Sequence, residues 1–176
     1  SRSLLAESMA SQVAAEPENA VAQRDLTAAL QSASLTYSWL GKRDDQRRVV
    51  EEALGINHAL RAADPENLQT VRDLLSMLQA SMSVLTPREL DTARARVTEM
   101  EALAKRLAEE GADANLARES VVMAHDTVAT LLTQAGDFTA ALAENQTVVD
   151  GLARLVSDAP DSERLSVRHA IGLVDR

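Results

Sequence analysis

Apolar residues recur every three or four positions along most of the chain, which is the pattern of helices that bury one face. The first such stripe consists of Leu26, Leu30, Ala33, Tyr37 and Leu40. The next consists of Leu68, Val71, Leu75, Leu78, Met82 and Leu85. Each stripe is followed by a break and then by a second helical segment, so we expect pairs of helices joined by short turns.

Polar and glycine-containing breaks mark the ends of these helices. They lie at 40–45, 85–90 and 134–139, and second helices are predicted at about 44–62, 87–110 and 138–157. Thr86 and Glu89 have the spacing of a capping box, which satisfies free backbone N–H groups at a helix start. Gly136 is expected to end one helix and Asp137 to cap the next, and Gly111 is a further predicted stop.

A four-residue motif indicates that the helix pairs are repeats. EPEN at 16–19 returns as DPEN at 64–67, and the surrounding sequences align at a shift of 48 residues. A period of this length is typical of stacked helical arrays. The motif is predicted to start a helix, with Asp64 as its cap, Pro65 as its first residue and Glu66 at the positive end of the helix dipole.

The repeat frame divides the chain into three full repeats between two half repeats. The predicted boundaries are 1–16, 17–64, 65–112, 113–160 and 161–176. Each full repeat supplies two helices and each half repeat one, so we expect about eight helices in a single all-α domain. Because both ends fall within a repeat, the chain is interpreted as part of a longer protein.

Composition narrows the class of partner. The 176-residue chain has a net charge of −9, and its cationic run at 42–48 contains its own acids, so we interpret that run as a solvated helix end. Nucleic acid and anionic membranes are therefore disfavoured as ligands. The sequence has no cysteine and no apolar run of the roughly 20 residues that a membrane span needs. We expect a soluble segment without a cofactor, and the cytoplasm is favoured over the periplasm.

The stretch QAGDFTAALAENQTVV at 134–149 resembles the tetratricopeptide repeat. The residues that match the family's helix turn are Gly136, Asp137, Phe138, Ala141 and Leu142. The resemblance implies that Gly ends the first helix, Asp starts the second, the aromatic ring fills the gap and the small Ala lets the helices approach. The family's repeat has about 34 residues. Each repeat of this chain is therefore about 14 residues longer, which corresponds to roughly two extra turns in each of its two helices.

The resemblance implies an all-α, right-handed superhelical solenoid of antiparallel helix hairpins, in which the first helices line a concave groove. The implied groove residues are Arg24, Gln31, Ser38, Trp39, Arg72, Gln79, Ser83, Asp126 and Thr130. This polar, mostly neutral face is expected to bind an extended peptide or a partner helix, and the alternative is a solvated surface without a ligand. The long, degenerate repeats also resemble those of bacterial multidomain signalling proteins, including serine/threonine kinases.

Two features of the groove face have competing interpretations. Trp39 is the only tryptophan, and it is either an exposed binding residue or, as we favour, a side chain packed under a helix turn. One column of the repeat contains Arg24, Arg72 and Arg168. These arginines either clamp a ligand carboxylate or, as their recurrence favours, form structural pairs with Asp25, Asp73 or an acid of a neighbouring repeat.

No catalytic or metal-binding arrangement stands out. The histidines are His58, His125 and His169, and no two have the spacing of metal ligands on one helix. Adjacent residues on a helix point apart, so His125 and Asp126 are not expected to form a catalytic pair. We interpret His125 as filling a position at the edge of a core that Leu or Met occupies in other repeats. We therefore predict a non-enzymatic interaction or sensor module. The alternatives are a spacer or homodimerisation module of a multidomain regulator, and a segment of an enzyme whose catalytic domain lies elsewhere.

Overall fold

The computed structural model describes residues 8–11, 13, 19–111 and 114–158. Within these residues the chain is helical and contains no β-strand, which confirms the predicted all-α class. The protein divides into two compact units, Ser1–Val84 and Leu85–Arg176. The half repeat predicted at 161–176, with Arg168 and His169, lies outside the described residues, as does most of the half repeat at 1–16.

The first unit contains three helices with described ends: α1 (Ala20–Trp39), α2 (Arg43–Ala63) and α3 (Leu68–Met82). Connections of three and four residues join them, so each helix turns back beside the one before it. Helix α1 packs on α2, and α2 packs on α3. The buried side chains include Leu26, Leu30, Val49, Val50, Leu54, Val71, Leu74 and Leu78. The second helix predicted at 44–62 is therefore confirmed to within one residue at each end.

The DPEN motif forms a turn rather than the first turn of a helix. The N–H of Asn67 donates to the C=O of Asp64 at 3.3 Å, with Pro65 at the second position of the turn, where proline is favoured. Asn67 is the helix cap, since its Oδ1 accepts the N–H of Gln69 at 2.9 Å. The prediction of Asp64 as the cap is wrong, because the backbone N–H of Asp64 still completes the last turn of α2.

The first copy of the motif uses the same asparagine. Asn19 Oδ1 accepts the N–H groups of Val21 and Ala22, both at 3.1 Å, at the start of α1. Asn19 and Asn67 are 48 residues apart, so the cap recurs with the period found in the sequence. The rest of that copy, residues 16–18, lies outside the described residues.

In the second unit, a short 3-10 helix, Pro87–Glu89, leads into α4 (Leu90–Glu109), which is followed by α5 (Ala114–Ala135) and α6 (Phe138–Asp158). Helix α4 packs on α5, and α5 packs on α6. Arg118 near the start of α5 pairs with Asp158 at the end of α6 at 3.1 Å, so these two helices run antiparallel. Their shared core contains Val122, Val148, Leu152 and Leu155.

The predicted helix ends of the second unit are confirmed. Glu89 Oε2 accepts the backbone N–H of Thr86 at 3.0 Å and its hydroxyl at 2.7 Å. Gly136, with φ of 84°, follows the last residue of α5, and Asp137 Oδ1 accepts a backbone N–H of the first turn of α6 at 3.1 Å. Gly111, with φ of 67°, similarly follows the end of α4, since glycine adopts this left-handed region at little cost.

Phe138 does not fill the gap between helices, as the resemblance implied. It is 69% exposed at the start of α6, whereas Ala141 is buried, as expected for a small residue between packed helices. The turn before Phe138 is closed by backbone bonds, in which the N–H groups of Gly136 and Asp137 donate to carbonyls of the last turn of α5 at 3.1 and 3.0 Å. It therefore needs no aromatic side chain to hold it.

Candidate protein-binding face on helix α1

The outer side of α1 carries large apolar side chains that the protein leaves exposed to water. Val21, Leu35 and Trp39 are 66, 62 and 90% exposed, and Ala28 is exposed as well. Positions 21, 28, 35 and 39 lie along one side of a helix, opposite the side that packs on α2. We call this set of four residues the α1 stripe. At a rise of 1.5 Å per residue the α1 stripe is about 27 Å long.

Trp39 is exposed, so its interpretation as a side chain packed under a helix turn is wrong. The turn that follows it is closed by the backbone, since the N–H groups of residues 40–42 donate to carbonyls of the last turn of α1 at 2.9 to 3.1 Å. Leu40, predicted as the last member of a buried stripe, is also 64% exposed. It lies beyond the end of α1, where the helical period no longer applies.

Other predicted groove residues lie at the surface of the first unit. Helix α1 carries Arg24, Gln31 and Ser38 at intervals of seven residues beside the α1 stripe. Arg72 and Gln79 occupy the equivalent repeat positions of Arg24 and Gln31 on α3, and Ser83 follows the last residue of that helix. The two serines are exposed and the four longer side chains are half-buried. The stripe is thus bordered by side chains able to form hydrogen bonds.

An ion pair connects α1 with α3. Arg24 Nε lies 3.3 Å from Asp73 Oδ2 without the alignment of a hydrogen bond, and Gln69 donates to Asp73 Oδ1 at 2.6 Å. This pair confirms the structural role favoured for Arg24. A partly exposed pair contributes little to stability, so its main effect is positional. It places the polar border of α1 beside α3.

Two predicted groove residues belong to the second unit. Asp126 and Thr130 lie four residues apart on α5 and are both exposed. Spacing of this kind places them on the same side of that helix. Their assignment to a binding groove remains a prediction.

His125 bridges three helices of the second unit. Its Nδ1 lies 2.8 Å from Glu144 Oε2 on α6, and its Nε2 lies 3.4 Å from Glu101 Oε1 on α4. The ring is 16% exposed, in agreement with the position predicted at the edge of a core. The two glutamates were not predicted, since only the packing of α4 and α6 against α5 brings them to the histidine.

The bridged histidine connects three elements of the second unit. Among the residues that the structure describes, no group of three or more histidine, cysteine or acidic side chains could hold a metal ion. His125 instead provides one polar contact to each helix beside it. It therefore ties α4 and α6 to α5 at the edge of the core.

Comparison with protein-family models, with curated proteins and with solved structures finds no match to this chain. In the described ranges, no helix combines the length and the apolar character needed to cross a membrane. The α1 stripe and its polar border are therefore the features from which a function is inferred.

Proposed function

We propose that this chain is a non-enzymatic protein–protein interaction module that binds a segment of a partner protein along the α1 stripe. The observation that carries the proposal is the exposure of Trp39 and Leu35 on the outer side of α1. Burying such a side chain contributes roughly 1.5–3 kcal/mol, which this protein leaves unused. A partner that covers them recovers this free energy on binding.

The composition of the face supports this function. Tryptophan is enriched among the residues that dominate binding energy, and such residues are usually surrounded by polar groups that exclude water. Trp39 and Leu35 provide the apolar centre. Gln31 and Ser38 provide neutral hydrogen-bonding groups at its border, and Gln79 adds one at the surface of α3; such groups suit a peptide backbone as well as polar side chains.

We further propose that the helix pairs belong to a tetratricopeptide-like, right-handed solenoid within a soluble signalling protein, with the cytoplasm as its compartment. The recurrence of the Asn19 and Asn67 caps after 48 residues supports this reading, as does the Gly136–Asp137 turn.

The second candidate function is a dimerisation or spacer module. The observation that favours it is another exposed apolar pair, Phe138 and Leu142, which are 69 and 60% exposed four residues apart on α6. This function predicts a mass that rises with concentration in sedimentation experiments. The rise should disappear when both residues are replaced by serine and should persist when Leu35 is replaced.

The proposed function is tested by selecting peptides from a random displayed library against the whole chain. Each selected peptide is titrated while the fluorescence of Trp39, the only tryptophan, is recorded. We expect a saturable change in emission. Leu35→Ser alone, and Gln31→Ala combined with Gln79→Ala, should weaken binding while circular dichroism shows unchanged helicity.

Leu142→Ser is the matched control, since Leu142 is as exposed as Leu35 but belongs to the second unit. Peptide binding should be unaffected by this change. If the library yields no saturable ligand, or if binding depends on Leu142 and not on Leu35, the proposed function of the α1 stripe is wrong.

A further inference from the structure

The α1 stripe ends at a cationic connection. Lys42 and Arg43 follow Trp39 and Leu40 in the chain and are both exposed, and no ion pair in the described part of the chain involves them. Arg43 is the first residue of α2, where a cation opposes the positive end of the helix dipole. The stability of α2 therefore does not explain the presence of Arg43. Asp44 and Asp45, which follow it, do stabilise the start of this helix.

The α1 stripe runs along one face of α1. Positions 21, 28, 35 and 39 match four of the six core positions that a heptad repeat would have over this span, and the other two are Asp25 and Ser32. An extended peptide would instead present side chains to one face every second residue. A partner helix of about 18 residues would cover the whole stripe.

We propose, on the basis of the proposed function, that the occupant of the α1 stripe is an amphipathic helix of a partner protein, antiparallel to α1, with acidic residues in its first turn beside Lys42 and Arg43. The antiparallel direction places the partner's first turn beside Lys42 and Arg43. Acidic side chains also stabilise the first turn of their own helix. On a chain with net charge −9, the exposed Lys42 and Arg43, which Asp44 and Asp45 follow in the first turn of α2, favour this direction of the partner.

A second copy of this chain fits the α1 stripe less well. The first turn of α1 contains no acidic residue, whereas the proposed partner carries acids in its first turn. A partner helix held by apolar contacts and by charge is therefore the better match.

The test uses two synthetic helical peptides of about 18 residues that share a leucine face. One carries glutamates in its first turn and the other carries lysines there. Each is titrated into the full chain with Trp39 fluorescence as the readout. We expect the glutamate peptide to bind about tenfold more tightly, and the difference to vanish near 1 M salt, where charges are screened within about 3 Å.

The double variant Lys42→Glu with Arg43→Glu should reverse the preference between the two peptides. Its control is Arg94→Glu with Lys105→Glu, which makes the same change in net charge at exposed positions of the second unit. This control should leave the preference for the glutamate peptide in place. A reversal confined to the first variant would support the assignment of Lys42 and Arg43.

The remaining outcomes separate this inference from the function on which it rests. If the two peptides bind equally well, the inference of acidic residues in the partner's first turn is wrong, and the proposed function still stands. If neither helical peptide binds while selected extended peptides do, the helical occupant is wrong and partner binding stands. A third outcome is that neither peptide binds, but anionic phosphatidylserine vesicles or a second copy of the chain shield Trp39. This outcome overturns the inference, and the occupant of the α1 stripe is then the membrane or the second copy that shields it.

Discussion

Gly151 on α6 lies so close to Val122 on α5 that a Cβ added at Gly151 would stand 2.5 Å from Cγ2 of Val122. A glycine inside a helix normally costs about 0.5–1 kcal/mol relative to alanine. Here the close approach of two packed helices explains its presence. Val122 has little freedom to move aside, because its branched side chain is buried in the cluster with Val148 and Leu152.

Gly151→Ala is therefore expected to destabilise the protein. The clash should outweigh the gain in helix propensity and lower the free energy of unfolding by about 1–3 kcal/mol. The measurement is denaturant-induced unfolding, with hydrogen exchange used to locate the loss in α5 and α6. Adding Val122→Ala to this variant should recover part of the loss, since the two changes are coupled through one contact.

Gly55→Ala is the matched control for this prediction. Gly55 is also inside a helix, but an added Cβ would meet no atom within 4 Å. This substitution should raise the free energy of unfolding by about 0.5–1 kcal/mol. If both alanine variants were stabilised alike, the close contact between α5 and α6 would be refuted.

Removing the histidine bridge should weaken the packing of the second unit. His125→Ala deletes contacts to two helices and is expected to cost about 1–3 kcal/mol of unfolding free energy. Glu144→Ala should cost more than Glu101→Ala, because Glu144 lies at 2.8 Å and is 23% exposed, whereas Glu101 lies at 3.4 Å and is 53% exposed. Double-mutant cycles with His125 give the two coupling energies, and a larger coupling to Glu101 would contradict this geometry.

The repeated asparagine, rather than the acid before the proline, should matter for helix stability. Asn67→Ala removes the cap of α3 and is expected to cost about 1 kcal/mol, whereas Asn67→Asp should be tolerated. Asp64→Ala should cost less, since its side chain accepts only the amide of Asn67. Thermal unfolding of the three variants provides the comparison. If the Asp64→Ala variant unfolds at a lower temperature than the Asn67→Ala variant, Asp64 rather than Asn67 is the cap of α3.

The sequence predicted those features that depend on neighbours in the chain. The box of Thr86 with Glu89 and the stop at Gly136 are local, and both are confirmed. The cap within DPEN was misassigned, because Asp64 and Asn67 are both good acceptors and only the turn between them selects one. The exposure of Trp39 and the contact of His125 with Glu144 depend on helix packing, which periodicity alone does not specify.

The two faces of α1 should respond differently to the same substitution. Leu35→Ser on the α1 stripe is expected to change the free energy of unfolding by less than about 0.5 kcal/mol. Leu30→Ser on the buried face should cost roughly 2–5 kcal/mol, since it creates a cavity and buries a hydroxyl. Urea-induced unfolding followed by circular dichroism measures both, and a large loss for Leu35→Ser would show that the stripe is already covered within the protein.

The accessibility of Trp39 tests the central claim most directly, because the indole of this single tryptophan is 90% exposed at the end of the α1 stripe. Acrylamide quenching of the free chain should approach that of a free tryptophan derivative, and a bound peptide should reduce it. A slow quenching rate in the free chain at low protein concentration would mean that Trp39 is buried. That result would contradict an open binding face on α1.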